Sequence, residues 1–252
     1  MAGKKSNLQW IKDHFYEIEK ETESKIAKDV RHIWLVHGDM CNDMFGSLSK
    51  VLSKDEESDS LLVLRLFEFQ KTLLWLDTCA NCGSYRPLIR ELRFFLESFM
   101  QALYMDEKYP EANMREKLLL LHKNEKRLYG FNLINKLELE EKDDIKGLYH
   151  RLSNFVHSSA VELFPILNGN VHDRFVATFD EDFFHQCVIN TDETVDWIFY
   201  LIIKKHPRVG RILKRDSNTF SWFKRLGYER TVKIIKDVSQ SHRQSKLTTF
   251  FK

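Results

Sequence analysis

Glycine and proline are rare in this chain, 9 and 4 of 252 residues, and that scarcity narrows the choice of fold more than any motif does. Sheet-rich folds turn every few residues, and their turns draw on glycine and proline for backbone angles that other residues avoid. A chain with so few of either must cover its length in long helices. The apolar pattern agrees. From Leu8 to Val51, Trp10, Phe15, Ile18, Ile26, Val30, Ile33 and Trp34 recur at roughly three- and four-residue steps, the spacing of one helix face. With 43% hydrophobic residues, 19 Phe and 5 Trp among them, the chain can bury a substantial core. The expected fold is predominantly all-α, a helical bundle.

The remaining segments read as follows. Ser6 is a suitable N-cap for the first helical stretch, and Asp55–Asp59 is a charged loop. Ser60–Cys79 is a strongly apolar helix. Gly83 and Pro87 punctuate the chain, and Pro87 fits the first turn of a helix running to about Met105. Helix resumes from Asn113 to Tyr129, with Gly130 as its stop, and again from Glu140 to His157. Asn168–Gly169–Asn170 is a turn, and Arg174–Phe179 suits a short strand. Phe183–Lys205 is an apolar helix with Pro207 after it, and Val209–Val238 reads as two short basic helices. The organisation expected is a helical body over 1–205, a basic helical region over 206–238 and a flexible tail over 239–252.

No run of apolar residues is long enough for a membrane span. The polar start, Met1-Ala2-Gly3-Lys4-Lys5-Ser6, lacks the apolar segment of a signal peptide. An intracellular protein, cytoplasmic or nuclear, is expected, with its 4 cysteines reduced. The net charge of +2 conceals an asymmetry. Lys204–Lys252 holds 14 Lys/Arg against 3 Asp/Glu, net +11, which leaves −9 on the first 203 residues. A split of this size points to an end that binds polyanions. The alternative is that this end only neutralises the acidic body.

The last nine residues read Q-x-x-L-x-x-F-F: Gln244, Leu247, Phe250 and Phe251. Leu247, Phe250 and Phe251 stand at i, i+3 and i+4, so one helical turn gathers them into an apolar plug. Gln244 offers amide donors and an acceptor to a polar pocket. Two adjacent Phe residues at an otherwise polar terminus mark an interaction site. The segment resembles the clamp-binding peptide, or PIP box, of clients of the PCNA sliding clamp of archaea and eukaryotes. The resemblance implies a protein of DNA replication or repair whose plug enters a hydrophobic pocket on the clamp, the helix-in-groove mode reduced to one turn. Burying one Leu and two Phe is worth roughly 1.5–3 kcal/mol each, and ordering the tail costs about 1 kcal/mol per residue. Binding in the region of 1 μM, about −8 kcal/mol, follows.

A second resemblance lies in Tyr149-His150-Arg151-Leu152-Ser153-Asn154-Phe155-Val156-His157. Arg151 and His157 match the R-x(4–6)-H spacing of HEPN-type helical ribonucleases, and Arg90-Glu91-Leu92-Arg93-Phe94-Phe95-Leu96-Glu97 is similar to the R-x-L-x-E-style helix of HEPN-like bundles. The resemblance implies a metal-independent endoribonuclease built across a homodimer. His157 would act as general base or acid on a ribose hydroxyl, and Arg151 would stabilise charge on the phosphate. Leu152 departs from the polar residue that usually follows the Arg, which puts nuclease activity in doubt. The bland alternative is a bundle helix whose Arg and His make structural hydrogen bonds.

Other signals are weaker. Cys79-Ala80-Asn81-Cys82 is a lone C-x-x-C without the further ligands a zinc site needs, so buried free thiols are the default, and no metal or other cofactor is expected. Asp180-Glu181-Asp182 suits a helix start. In the basic end, Phe220, Trp222, Phe223 and Tyr228 interleave with cations, the combination that stacks bases while contacting phosphates. The same rings could instead be the core of a small helical unit with only the charges outward. Lys214, Arg215, Lys224, Arg225, Arg230 and Lys233 are the candidate nucleic-acid contacts. The expected function is a clamp-binding accessory or regulatory protein that contacts nucleic acid, with a clamp-recruited nuclease as the second reading.

Overall fold

The computed structural model describes the backbone of residues 7–52, 59–156 and 178–250, with side-chain detail ending at Ser241. Among the described residues there is no strand, and the predominantly helical expectation holds. The helices are α1 (Asn7–Lys25), α2 (Lys28–Arg31), α3 (Ile33–Leu52), α4 (Leu61–Asn81), α5 (Tyr85–Lys108), α6 (Met114–Asn124), α7 (Gly130–Lys136), α8 (Lys142–Val156), α9 (Glu181–Lys205), α10 (Pro207–Arg215), α11 (Ser217–Arg225) and α12 (Glu229–Phe250). No helix among the described residues is long and apolar enough to cross a membrane.

Two helices organise the bundle. From Phe95 onward α5 is buried on nearly every side, the mark of a helix enclosed by others; α4, α8 and α9 pack around it. From Asn190 onward α9 is similarly enclosed, between α5 and α12. The basic C-terminal helices are not a separate layer. Val209, Leu213, Phe223, Tyr228 and Ile235 join the same continuous core as Phe69, Phe99 and Trp197, because α10 and α12 pack on each other and on α9, and α10 also packs on α3.

A buried ionic knot ties α4, α5 and α6 together. Ser60, the N-cap of α4, makes no capping bond to its own helix. Asp106 of α5 supplies the cap instead, accepting from Leu61 N at 3.0 Å, Leu62 N at 3.2 Å and Ser60 Oγ at 2.8 Å. Lys117 of α6 balances the charge, donating to Asp106 Oδ1 at 2.9 Å and to the Asp59 carbonyl at 2.9 Å. Both side chains are almost wholly out of solvent. The first two backbone donors of α4, which burial would otherwise strand, thus meet an acceptor.

Several boundaries differ from the sequence expectation. The Leu8–Val51 stretch breaks at Ile26 and Ala27, where extended backbone redirects the chain; a straight helix of that length would overrun the bundle. Gly130 does not stop the Asn113–Tyr129 helix. That helix ends at Asn124, a 3₁₀ turn covers Glu125–Arg127, and Gly130, at φ +54°, opens α7. Pro207 likewise opens α10. The Val209–Val238 stretch lies in three helices rather than two, because Asp216 caps α11 by accepting from Asn218 N and Thr219 N and Gly227, at φ +74°, permits the reversal into α12. Helical backbone continues through the segment expected to be a flexible tail, as far as Phe250. Four of the six residues of the Arg174–Phe179 strand, the Asn168–Asn170 turn and the Asp55–Ser58 part of the charged loop lie outside the described residues; Thr178 and Phe179 are not in a helix or strand. Glycine is required at position 83, in the α4–α5 turn: at φ +68°, Gly83 lies so near the Thr178 carbonyl that a Cβ would collide with it.

Candidate nucleic-acid interface

The basic face is built on α10 and α11. In α10 the sequence Pro-Arg-Val-Gly-Arg-Ile-Leu-Lys-Arg buries Val209, Gly210 and Leu213. The close fit at Gly210, where a Cβ would stand 2.7 Å from Ile203 Cγ2, seats the helix against α9. With that stripe inward, Arg208, Arg211 and Arg215, at i, i+3 and i+7, share another face. Burial lowers the pKa of Arg211, and the neighbouring charges of Arg208 and Arg215 lower it further. That is the electrostatic signature of like charges held together.

Phe220 of α11 sits between two ammonium groups, Lys224 Nζ at 4.6 Å and Lys214 Nζ at 5.9 Å from its ring centre. The Arg225 guanidinium lies 4.9 Å from the Trp222 ring. Phe220 and Trp222 are half-buried, whereas Phe223 and Tyr228 are fully buried. The four rings therefore divide: two are core and two reach the surface under cations. Lys214, Arg215, Lys224, Arg225 and Lys233 make no ion pair with a carboxylate among the described residues. A surface of unneutralised cations beside accessible rings can contact phosphates and stack bases.

Arg230 is different from the other sequence candidates. Its backbone N–H and guanidinium both donate to Asp196 Oδ2, at 3.3 and 3.4 Å, and the guanidinium lies 4.4 Å from the Trp197 ring. Asp196 also accepts from Thr231 N at 3.0 Å, so it caps α12 from the side of α9. The charge of Arg230 is satisfied inside the bundle.

Arg151 is committed in a similar way. It is ion-paired with Glu193 of α9, and Glu193 also lies 3.7 Å from Arg230 Nη2. The two arginines that the sequence pattern assigned to catalysis and to nucleic acid thus share one carboxylate. His157 lies outside the described residues. His150 contacts Asn154 at 3.2 Å on the exposed side of α8, and Leu152 is fully buried.

The helix carrying Arg90 and Arg93 holds a polar cluster with a partner that the sequence pattern did not reveal. Tyr149 accepts from Arg93 Nε and Nη2, at 3.2 and 2.9 Å, and donates to Glu97 Oε2 at 3.1 Å. Burial raises the pKa of Glu97 against the opposing effects of the Tyr149 hydrogen bond and the Arg93 charge. The i, i+4 spacing of Arg93 and Glu97 was the visible half; the tyrosine, 56 residues beyond Arg93, carried no local signal. The same holds for the trio of buried His37 and Tyr228 with half-buried Asp192. Tyr228 donates to Asp192 Oδ1 at 3.0 Å, and His37 Nε2 lies 2.9 Å from the same oxygen. His37 Nδ1 is buried without a hydrogen-bond partner among the described residues, and Nε2 also lies 2.5 Å from the Tyr228 hydroxyl.

The C-x-x-C pair is thiol chemistry held quiet. All four cysteines are free. Burial pushes the Cys79 thiol up to about 12, with neighbouring Cys82 and Glu91 adding to the shift, and burial also raises Cys82. No cluster of three or more His, Cys, Asp or Glu that could hold a metal occurs among the described residues. Asp180 caps α9 by accepting from Phe183 N at 3.0 Å. Of the tail, Gln244, Leu247 and Phe250 lie on the helical backbone of α12, and Phe251 lies outside the described residues. No family model matches the chain, and searches of curated proteins and of solved structures likewise found no match.

Proposed function

We propose that this protein is a non-catalytic accessory factor of DNA replication or repair, which docks on the PCNA sliding clamp through its C-terminal peptide and grips nucleic acid through the α10–α11 face. The observation that carries the nucleic-acid part is the surface of Lys214, Arg215, Lys224 and Arg225, free of carboxylate partners among the described residues and interleaved with the half-buried rings of Phe220 and Trp222. The clamp part rests on the spacing of Gln244, Leu247, Phe250 and Phe251, and helical backbone through Leu247 and Phe250 is the conformation that spacing requires. The neutralisation of Arg151 by Glu193 argues against a phosphate-stabilising role for that residue in this conformation.

The test has two arms. Calorimetry with the clamp of the same organism should give binding near 1 μM, as a single-turn plug supports, and Phe250→Ala/Phe251→Ala should abolish it. Equal binding by both proteins would place the contact elsewhere. Fluorescence anisotropy with a single-stranded oligonucleotide should show affinity falling with salt. The fourfold variant Lys214→Gln/Arg215→Gln/Lys224→Gln/Arg225→Gln should flatten that dependence by up to about 3 units of log–log slope, about 0.7 for each phosphate no longer neutralised. An unchanged slope would remove the interface. Cleavage of the oligonucleotide that Arg151→Ala and His157→Ala abolish would replace the accessory role with the nuclease.

A further inference from the structure

A cavity of about 500 Å³ opens between α4, α5, α6 and the residues leading into α7, none of which belongs to the basic face. One side of it is a polar stripe: Arg90, Arg93, Glu97 and Gln101 follow one another at three- and four-residue steps along α5. Arg65 enters from α4, so three guanidinium groups face one carboxyl in the lining. The walls are apolar and aromatic. Phe94 and Tyr129 are more than half exposed, at 55% and 53%, although neither lies at a chain end.

The guanidiniums are unequally occupied. Arg65 keeps an ion pair with Glu68 of its own helix at 2.5 Å. Arg90 makes no hydrogen bond or ion pair with a described residue. Arg93 is held in place by the Tyr149 and Tyr129 hydroxyls through Nε and Nη2, which leaves Nη1 without a hydrogen bond among the described residues. With Nε–H and both Nη2 hydrogens given to the two tyrosines, Arg93 is fixed in place and offers an oxyanion the two hydrogens of Nη1, beside the whole guanidinium of Arg90. The opposing carboxyl, Glu97, is engaged by Tyr149, and burial favours its uncharged form.

We propose that this cavity binds a nucleotide, with its phosphomonoester held by Arg90 and Arg93 and its base lying against Phe94 and Tyr129. A volume near 500 Å³ is of the size that small-molecule sites use, and a few convergent polar groups in an apolar surround are their usual composition. A phosphate satisfies the Arg90 guanidinium and the Nη1 group of Arg93, and a planar base covers rings that are otherwise in water. The nucleotide is either free or the 5′-phosphorylated end of a strand. The inference does not rest on the basic face or the tail, which are formed by other elements.

The experiment is calorimetry of the full chain against AMP, GMP, CMP and UMP, with the four matching nucleosides as phosphate-free controls. At least one monophosphate should bind at one site per chain, and its own nucleoside should bind at least tenfold more weakly. Arg90→Gln and Arg93→Lys should each weaken binding about tenfold, while Lys224→Gln/Arg225→Gln should leave it unchanged. Arg90 is exposed and makes no hydrogen bond or ion pair with a described residue, so its substitution tests the site even if Arg93→Lys disturbs the fold. Displacement of the bound monophosphate by a 5′-phosphorylated oligonucleotide, and not by its 5′-hydroxyl form, identifies a strand end; failure of both oligonucleotides to displace it identifies the free nucleotide. Absence of binding by all four monophosphates, equal binding of the bound monophosphate and its nucleoside, or binding unaffected by Arg90→Gln in a folded variant would overturn the proposal.

Discussion

Lys224 and Arg230 stand six residues apart on the C-terminal side of the chain, and by charge they are equivalent. Their surroundings are not. Lys224 is exposed beside Phe220 and makes no ion pair with a described carboxylate, whereas Arg230 is held by Asp196, approached by Glu193 and laid over Trp197. One charge is available to a partner and the other holds α12 to α9. The comparison extends to Arg151, neutralised by Glu193, and to Lys117, buried on Asp106. A positive residue informs about function only once its counter-charge is known, because a guanidinium already satisfied by a carboxylate must lose that bond before it can hold a phosphate.

The contrast is sharpest at the buried knot. Asp106→Ala removes the acceptor for Ser60, Leu61, Leu62 and Lys117 together and leaves a buried ammonium without a counter-ion. It is expected to lower stability by about 3–5 kcal/mol. Urea unfolding measures this; a loss below about 1 kcal/mol would mean that water replaces the carboxylate and the knot is not closed.

The next effect separates the two cations. Arg230→Ala should lower stability by about 1–2 kcal/mol, by removing the hydrogen bond to Asp196 and the stacking on Trp197, and leave nucleic-acid affinity nearly unchanged. Lys224→Ala should do the opposite, shifting stability by no more than about 0.5 kcal/mol while weakening the binding of single strands. Paired melting and anisotropy measurements on both variants decide it. If both substitutions weaken binding equally, the division between available and committed charge is wrong.

The smallest effect is in pH. Glu97 has its pKa raised, mainly by burial, so its protonated form fits the folded protein better. Its favourable contribution is present below the ordinary carboxylate range and is lost as pH rises through the raised value. Wild type should therefore lose stability relative to Glu97→Gln as pH rises above about 4, the unperturbed Glu value. Urea midpoints of the two proteins that stay parallel across this range would show that Glu97 is not desolvated.

Much of the helix order was readable in advance because it depends on short-range pattern. The apolar stretches over Ser60–Cys79 and Phe183–Lys205 became α4 and α9 within two residues at each end. Boundaries that depended on a partner were not readable. Gly130 could equally end one helix or open the next, and the end of α6 at Asn124 with a 3₁₀ turn after it left Gly130 to open α7. The basic end shows the same limit. Its excess of charge was countable, but the withdrawal of Arg230 required Asp196 of another helix, and the separation of Phe220 and Trp222 from Phe223 and Tyr228 required the packing of α11 against α10, α12 and α3.

By itself the sequence determined the helical class, the order of most helices, the polarity of the two ends and the clamp-like spacing of the last nine residues. These follow from backbone preference, periodicity and formal charge, which are local or additive along the chain. Tertiary structure alone decided which charges remain available, which rings face water, and that Arg90, Arg93, Phe94 and Tyr129 line one cavity. Those properties depend on which distant groups share a few ångströms of space, and a carboxylate placed there by another helix changes what an arginine can bind.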